Sequence, residues 1–360
     1  MSLSATIRTR LSDSFALDVT MSVGAGVTIL FGESGSGKST VLRAVAGLLR
    51  PDAGSITIGQ RVLFDRATGR HVPTHERHIG YVFQDLALFP HLTVEENLAF
   101  GLRDQPEAAR RRKIRDVAAS FRIDHLLARR PAAISGGERQ RTALARSLVT
   151  DPSALLLDEP LSALDYVTQS RIIEDLRRWN AAHEIPILYV THSHREVFAL
   201  GDRVIVLADG KVTASGTPHD VLEMPEQVSL ARLAGFENIL DATVMTRKPE
   251  AGTMVCRLGA TDVDLEVPLA QGAAGADIQI AIRAGDILLA TEPPRGISAR
   301  NVLPGRLALL NREGATMVAT VDAGARFVVH LTPTAIESLR LTTGQDVWLV
   351  IKTYSCRVAA

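Results

Sequence analysis

Short, wholly apolar runs alternate with stretches of helical period from the N-terminus to about Gly235. Val27-Thr28-Ile29-Leu30-Phe31 has no polar face, ends in a glycine-rich turn, and is followed by Ser39–Leu49, whose spacing predicts a helix. Ala154–Leu157 and Ile187–Val190 repeat the brief apolar run. Strands read this way when helices cover both sheet faces and no side chain meets water, so the pattern predicts an α/β domain with a mostly parallel sheet. Between Leu92 and Arg130 the period is helical, with Arg110-Arg111-Arg112-Lys113 on the outer face. After Gly235 the period shortens to two, as in Phe327-Val328-Val329-His330-Leu331, and Gly, Asp and Pro punctuate the segments, which predicts an all-β region. That region resembles itself. GADIQIAIRAGDILL (275–289) aligns with GQDVWLVIKTYSCRV (344–358), and GTMV at 252 echoes GATMV at 314, so two copies of one small barrel-like unit are expected. The division that follows is 1–235, a β-rich 236–295, and 296–360.

Composition narrows the class. A 46% hydrophobic fraction over 360 residues supports packed cores rather than disorder. Forty basic residues balance forty acidic ones, so no global field draws the chain to nucleic acid, and the Arg110–Lys113 cluster reads as a solvated helix face. Cys256 and Cys356 fit no metal spacing and read as buried small apolar residues in a reducing compartment. No run of eighteen apolar residues is present and the N-terminal stretch lacks a secretory pattern, so a cytoplasmic protein that meets membranes only through a partner is expected.

The turn after the first apolar run carries the chemistry. GESGSGKS, Gly32–Ser39, satisfies G-x-x-x-x-G-K-[ST] between strand and helix, the context in which backbone N–H groups and a helix N-terminus cradle phosphate. Gly32, Glu33, Ser34, Gly35, Ser36, Gly37, Lys38, Ser39 and Thr40 are the candidate nucleotide contacts. Lys38 is expected to reach the β- and γ-phosphates and the Ser39 hydroxyl to ligate Mg2+. The run at 154–157 ends in Asp158-Glu159, a carboxylate for the metal and one to polarise water, so nucleotide hydrolysis is the leading reading. A second Ser-Gly-Gly, Ser135-Gly136-Gly137, opens an Arg/Gln-rich helix and offers another hydroxyl, bare amides and another dipole end. One P-loop leaves the outer face of the γ-phosphate open, so this second grip suits a neighbouring copy packed head to tail.

Residues 1–235 resemble ATP-binding-cassette ATPases. ISGGERQR (134–141) resembles the family signature, Gln84 in YVFQD the glutamine-loop residue, and Ser162-Ala163-Leu164-Asp165 the D-loop. His192 in VTHS resembles the switch histidine, and Phe15 the aromatic that stacks on adenine. The resemblance implies ATP as substrate, Mg2+ held by Ser39, Gln84 and Asp158, Glu159 as general base, and His192 at the γ-phosphate. It also implies a homodimer whose ATP-driven closure does mechanical work. A cassette followed by a β appendage resembles the ATPases of binding-protein-dependent importers. Expected partners are therefore two integral-membrane permease subunits and an extracytoplasmic binding protein, with no nucleic acid, and the expected location is the cytoplasmic face of the inner membrane.

The appendage sharpens the resemblance. Ser298-Ala299-Arg300-Asn301-Val302-Leu303-Pro304-Gly305, with Ile351-Lys352, resembles the Mop domain of molybdate import ATPases, also called a TOBE domain, which has an OB-like fold. Ser298, Arg300, Asn301 and Lys352 are the expected contacts of a tetrahedral dianion, which takes hydroxyl, amide and cationic donors. Residues 61–102 are similar to the same importers, with Leu86, Leu88 and Phe89 as expected anchors for a permease helix. Molybdate is the expected cargo, tungstate a second one, and molybdate also an expected regulatory ligand. An importer ATPase for sulfate or a sugar, and a molybdate-sensing or storage protein, stay open as alternatives.

Overall fold

The computed structural model describes residues 1–102, 104–222, 235–314 and 316–359. They form two compact units, Met1–His219 and Asp220–Ala360. The boundary expected after residue 235 follows residues 223–234, which lie outside the described residues.

In the first unit the strands are β1 (Leu3–Arg10), β2 (Ala16–Val23), β3 (Gly26–Phe31), β4 (Ala53–Ile58), β5 (Arg61–Asp65), β6 (Arg70–His71), β7 (Ile79–Val82), β8 (Ala154–Asp158), β9 (Pro186–Thr191), β10 (Arg203–Ala208) and β11 (Lys211–Gly216). The helices are α1 (Lys38–Ala46), α2 (Val94–Ala99), α3 (Glu107–Ser120), α4 (Gly136–Leu148), α5 (Tyr166–His183), α6 (His194–Leu200) and α7 (Pro218–Leu222), the last crossing the unit boundary. All eleven strands join one sheet in the order β6-β5-β4-β1-β2-β11-β10-β3-β9-β8-β7. Neighbours from β10 to β7 are parallel, and β8 and β9 are buried at every position, as their unbroken apolar runs require. The other half, built on β1, β2, β4, β5 and β6, is antiparallel. Its strands β1 and β2 alternate inward, buried residues with outward, more exposed ones, because one face meets solvent. Arg111 and Arg112 on α3 are exposed and paired with Glu107 and Asp116, so the basic cluster is a solvated face.

A buried arginine fixes α1, the helix that follows the P-loop. Arg77 is 0% exposed, and its guanidinium donates to the carbonyls of Val72, Ala44 and Val45, capping the C-terminal end of α1. The chain leaves α1 through Gly47 at φ 83°, where a Cβ would stand 2.5 Å from Arg77 Nε. Glycine is required there both for the turn and for the guanidinium's place.

The second unit holds two five-stranded antiparallel sheets. Its strands are β12 (Asn238–Lys248), β13 (Thr253–Leu258), β14 (Asp264–Pro268), β15 (Asp277–Ile282), β16 (Ile287–Ala290), β17 (Asn301–Glu313), β18 (Thr316–Asp322), β19 (Arg326–Leu331), β20 (Asp346–Ile351) and β21 (Cys356–Ala359), with helix α8 (Pro333–Leu339) between β19 and β20. The two repeats seen in the sequence are present, but they exchange their last strands. β16 pairs with β20 of the second repeat, and β21 returns to pair with β15 of the first. One apolar core runs through both sheets, with Val244, Ile280 and Leu265 packed in the same cluster as Leu307, Phe327 and Leu349. A cut at residue 295 therefore separates repeats in sequence that share sheets and a core in space.

Two asparagines tie the exchange. Asn238 opens β12 and Asn301 opens β17, and each is 3% exposed. The Asn238 amide donates to the Val328 carbonyl of the other repeat at 2.9 Å and accepts from the Val328 N–H at 2.6 Å. Asn301 makes the mirror pair with Glu266, donating at 2.9 Å and accepting at 2.7 Å. An amide that both gives and accepts substitutes for one rung of a strand ladder.

Candidate functional site

The phosphate loop lies between β3 and α1, at the C-terminal end of a central parallel strand. Gly32 adopts φ 155°, and a Cβ there would come within 2.1 Å of the Leu207 carbonyl of β10. Gly35 and Gly37 take φ 84° and 102°, left-handed conformations that glycine adopts without strain. A Cβ on Gly37 would meet Leu17 at 2.7 Å and the Phe15 ring at 3.4 Å, which places Phe15 against the loop. Ser36 Oγ is buried without a hydrogen-bond partner. Glu33, Ser34 and Gly35 form the exposed rim, while Thr40 is half-buried in the first turn of α1.

Lys38 is 6% exposed, and its ammonium donates to the carbonyls of Gly32 at 2.9 Å and Glu33 at 2.6 Å. Burial pushes its pKa down, and the nearby carboxylates Glu159, Asp158 and Glu33 oppose that push. The head is thus a positive charge braced against its own loop. Across the site, Ser39 Oγ donates to Asp158 Oδ1 at 2.9 Å, and Tyr81 donates to Oδ2 at 3.2 Å. Burial first, and then Asp158, drive the Tyr81 pKa well up, so its hydroxyl stays a donor. Ser39 and Asp158 offer hard oxygens side by side, a donor set that fits Mg2+.

Glu159 follows β8 at φ 44°, a left-handed conformation unusual for a non-glycine. Its N–H donates to the Val190 carbonyl of β9, and its Oε1 lies 3.3 Å from His192 Nδ1 just past β9. Adjacent parallel strands therefore deliver the two residues to one point, and a cavity of about 180 Å3 there is lined by both, with Ser162, Gln169 and Thr191. Gln84 stands exposed in the turn after β7, the strand beside β8.

The second Ser-Gly-Gly begins α4 as the pattern predicts. Ser135 and Glu138 form a capping box, with the Glu138 carboxylate accepting from the Ser135 N–H at 2.7 Å and hydroxyl at 2.8 Å. These bonds, the backbone one first, hold the Glu138 carboxyl below its ordinary range. Gly137 lies where a Cβ would meet Thr168 at 2.5 Å. Ser135, Gly136 and Gly137 line a cavity of about 370 Å3 with Ala163, Leu164, Asp165 and Thr168, none of them a P-loop residue. Asp165 caps α5 by accepting from the N–H groups of Val167 and Thr168, and those Thr168 bonds lower its pKa.

Three supports went unseen in the sequence. Asp175, with a fully buried side chain on α5, meets Arg122 at 3.0 Å, Arg178 at 3.3 Å and Arg141 of α4 at 3.6 Å, fixing the signature helix to α5. Arg146 of α4 donates to the carbonyls of Leu86 and Ala87, both residues at positive φ, and stands 5.4 Å from the Phe89 ring. Asn97, wholly buried, bonds the backbone of Phe89, Leu92 and Thr93. A signal existed for Asp175. It falls on the helical stripe of Ile172, Ile173, Leu176 and Trp179, where a charge needs partners.

In the second unit, Ser298 and Lys352 line one cavity of about 760 Å3 with Asp286, Ser355 and the apolar Leu288 and Ile297. Arg300 is exposed and is not among its walls. Asn301, expected as an anion contact, is instead committed to the Glu266 backbone and is withdrawn from the cavity lining.

Residues 16–162 match the ABC transporter family and 297–358 the TOBE domain. A molybdenum import ATP-binding protein of Mesorhizobium japonicum is 39% identical over 99% of this chain and 96% of its own length. The chain belongs to the ABC transporter ATPases. A second such molybdenum import protein, from Rhizobium etli, is 39% identical over 94% of this chain and 95% of its own. Among solved structures, a dimeric bacterial ABC transporter cassette is 28% identical with a TM-score of 0.52, covering 61% of this chain and 99% of that one. The protein cbiO1 of Clostridium perfringens, part of the ABC transporter complex cbiONQ, is 27% identical with a TM-score of 0.55, covering 65% of this chain and 94% of that one. As a cassette ATPase the chain binds and hydrolyses ATP, and Mg2+ is general to such enzymes. No helix among the described residues is long and apolar enough to cross a membrane.

Proposed function

We propose that this cassette ATPase energises molybdate import as a homodimer docked under two permease subunits at the cytoplasmic face of the membrane, with cargo delivered by an extracytoplasmic binding protein. The observation that carries the reading is one chain joining the Glu159–His192 pair to a β unit whose cavity presents Ser298 and Lys352. A hydroxyl and an ammonium suit a tetrahedral dianion, and full-length similarity to molybdenum import proteins points the same way.

In this reading Lys38 and the amides of Gly35–Ser39 hold the β- and γ-phosphates, Ser36 Oγ gains its missing partner, and Phe15 stacks on the base. Ser39 and Asp158, with Gln84 swinging in, would hold Mg2+, which when bound neutralises charge on the phosphate oxygens. Glu159 takes the proton of the attacking water, and His192, held at 3.3 Å, fixes the Glu159 carboxylate and faces the γ-phosphate. Ser135, Gly136, Gly137 and Asp165 line a cavity free of P-loop residues, which suits service to the partner's nucleotide. Binding of two ATP molecules closes the dimer, and hydrolysis lets it open. Leu86, Leu88 and Phe89, braced by Arg146 and Asn97, would receive the permease helix. Oxyanion at Ser298 and Lys352 would slow the motor when internal molybdate is plentiful.

The test is ATPase activity of the full chain reconstituted with its permease and binding protein. Stimulation by molybdate but not sulfate is expected, with a fall as molybdate is raised on the ATPase side. Equal stimulation by sulfate would overturn the cargo, and a flat internal titration would overturn the regulation.

A further inference from the structure

We infer that Gln169 and Arg195 are positioning residues that lock the D-loop to the loop carrying His192, so that the catalytic pair and the dimer-facing segment move as one piece. Arg195 lies in the first turn of α6, three residues after His192. Its Nη1 donates to Gln169 Oε1 at 3.3 Å, and its Nη2 donates to Ser170 Oγ at 2.6 Å and to the Tyr166 carbonyl at 3.4 Å. The guanidinium also stacks 3.2 Å above the centre of the Tyr166 ring. One planar fork therefore grips the N-terminal end of α5 by four contacts, which a lysine could not reproduce.

Gln169 continues the link. Its Nε2 donates to the Leu161 carbonyl at 2.9 Å, immediately before the D-loop, while Oε1 takes the arginine. Flipping the amide would set a carbonyl against a carbonyl and an NH2 against a guanidinium, so the two partners dictate one orientation. On the other side, Ser162 Oγ donates to the Glu159 carbonyl at 3.1 Å, and Glu159 Oε1 meets His192 at 3.3 Å. The contacts close a ring, from His192 to Arg195 to Gln169 to Leu161 to Glu159 and back, and Gln169 itself lines the cavity between the two catalytic groups. None of these strap contacts reaches the P-loop. The ring thus acts on where Glu159 stands, not on how tightly nucleotide is held, and a displacement near 1 Å at a reacting group costs on the order of a hundredfold in rate.

The strap is tested by steady-state ATPase kinetics and thermal unfolding of the purified full chain. Arg195→Ala is expected to lower kcat by about tenfold with the KM for ATP within about twofold. Gln169→Glu separates positioning from folding, because the new carboxylate keeps and strengthens the contact to Arg195 but has no N–H for Leu161. The ion pair to Arg195 offsets the repulsion between the new oxygen and the Leu161 carbonyl, so its Tm is expected within a few degrees of the parent's while kcat falls about tenfold. Unchanged kcat in Gln169→Glu, or a kcat loss in both variants that is matched by a fall in Tm or a rise in KM, overturns the proposal.

Discussion

Buried polar side chains play opposite parts in the two units. Around the P-loop, Ser36 Oγ is sealed from solvent without a partner, Lys38 leans on its own loop's carbonyls, and Glu159 sits in a left-handed conformation. In the β unit, Asn238 and Asn301 are as deeply buried, and each satisfies both an N–H and a carbonyl of the opposite repeat. An unpaired buried polar group costs about 1–3 kcal/mol, so the first arrangement is a liability that a ligand removes and the second is a fastening. An orphan alone does not identify a site: Thr253 Oγ1 and Gln140 Nε2 are also unpartnered. What singles out Ser36 is its company, left-handed glycines on both sides and a buried cation two residues on.

Damage on the two sides is therefore expected to separate chemistry from stability. The largest effect belongs to Glu159→Gln. It keeps the shape and the 3.3 Å neighbour of the side chain but removes the carboxylate proposed to accept the water's proton, so kcat is expected to drop by about 10^2 to 10^4 while ATP is still bound. Fluorescent-nucleotide binding beside turnover assays checks both halves. Undiminished hydrolysis would move the base elsewhere and break the comparison at its catalytic end.

Asn301→Ala reverses the pattern. It strands the Glu266 N–H and carbonyl, and the β unit is expected to lose about 1–3 kcal/mol of unfolding stability in urea, with ATP turnover of the isolated chain within about twofold of the parent. Asn238→Ala should cost a similar amount through Val328. A stable Asn301→Ala protein with altered anion response would return Asn301 to the oxyanion site and weaken its reading as a fastening.

How legible these features were follows from the range of the interactions behind them. The P-loop, Asp158-Glu159 and the capping box at Ser135 are local: strand, turn and helix within a few residues set their geometry, so spacing alone reveals them. The meeting of Glu159 with His192 was legible through the family resemblance, and the parallel pairing of β8 with β9 accounts for it. The antiparallel half of the large sheet was harder to read because β1 and β4 pair across some fifty residues, Leu3 with Ile58. The inward partner of Asn301 was hidden for the same reason. That partner, Glu266, is 35 residues upstream in the other repeat, and nothing in Ser-Ala-Arg-Asn announces which amide turns inward. The internal repeat disclosed that two units exist but not that they trade β16 and β21, since exchanged and unexchanged pairings satisfy the same alternation.

The smallest predicted effect concerns Cys256 and Cys356, which belong to the shared apolar core of the β unit. Burial first, with Asp264 adding to it, pushes the Cys256 thiol up to about 11. Burial pushes Cys356 to about 12, with Arg357 opposing and Cys256 assisting. Only thiolate attacks a disulfide reagent, so at pH 8 both should resist an aromatic disulfide in the native chain and react together once urea opens the core. The same shifts give a pH dependence with a definite sign. Unfolded thiols release their protons near 9 and the folded ones only near 11 to 12, so above about pH 9 the unfolded state holds fewer protons and the free energy of unfolding falls as pH rises. Below that pH both states are protonated and these thiols add no slope. Cys356→Ser should leave ATP turnover intact and seat a more polar group in that core, lowering the midpoint of the β unit modestly. Rapid native labelling of either thiol at pH 8 would show that the exchanged sheets open readily, and the contrast between a yielding nucleotide loop and a fastened β core would fail.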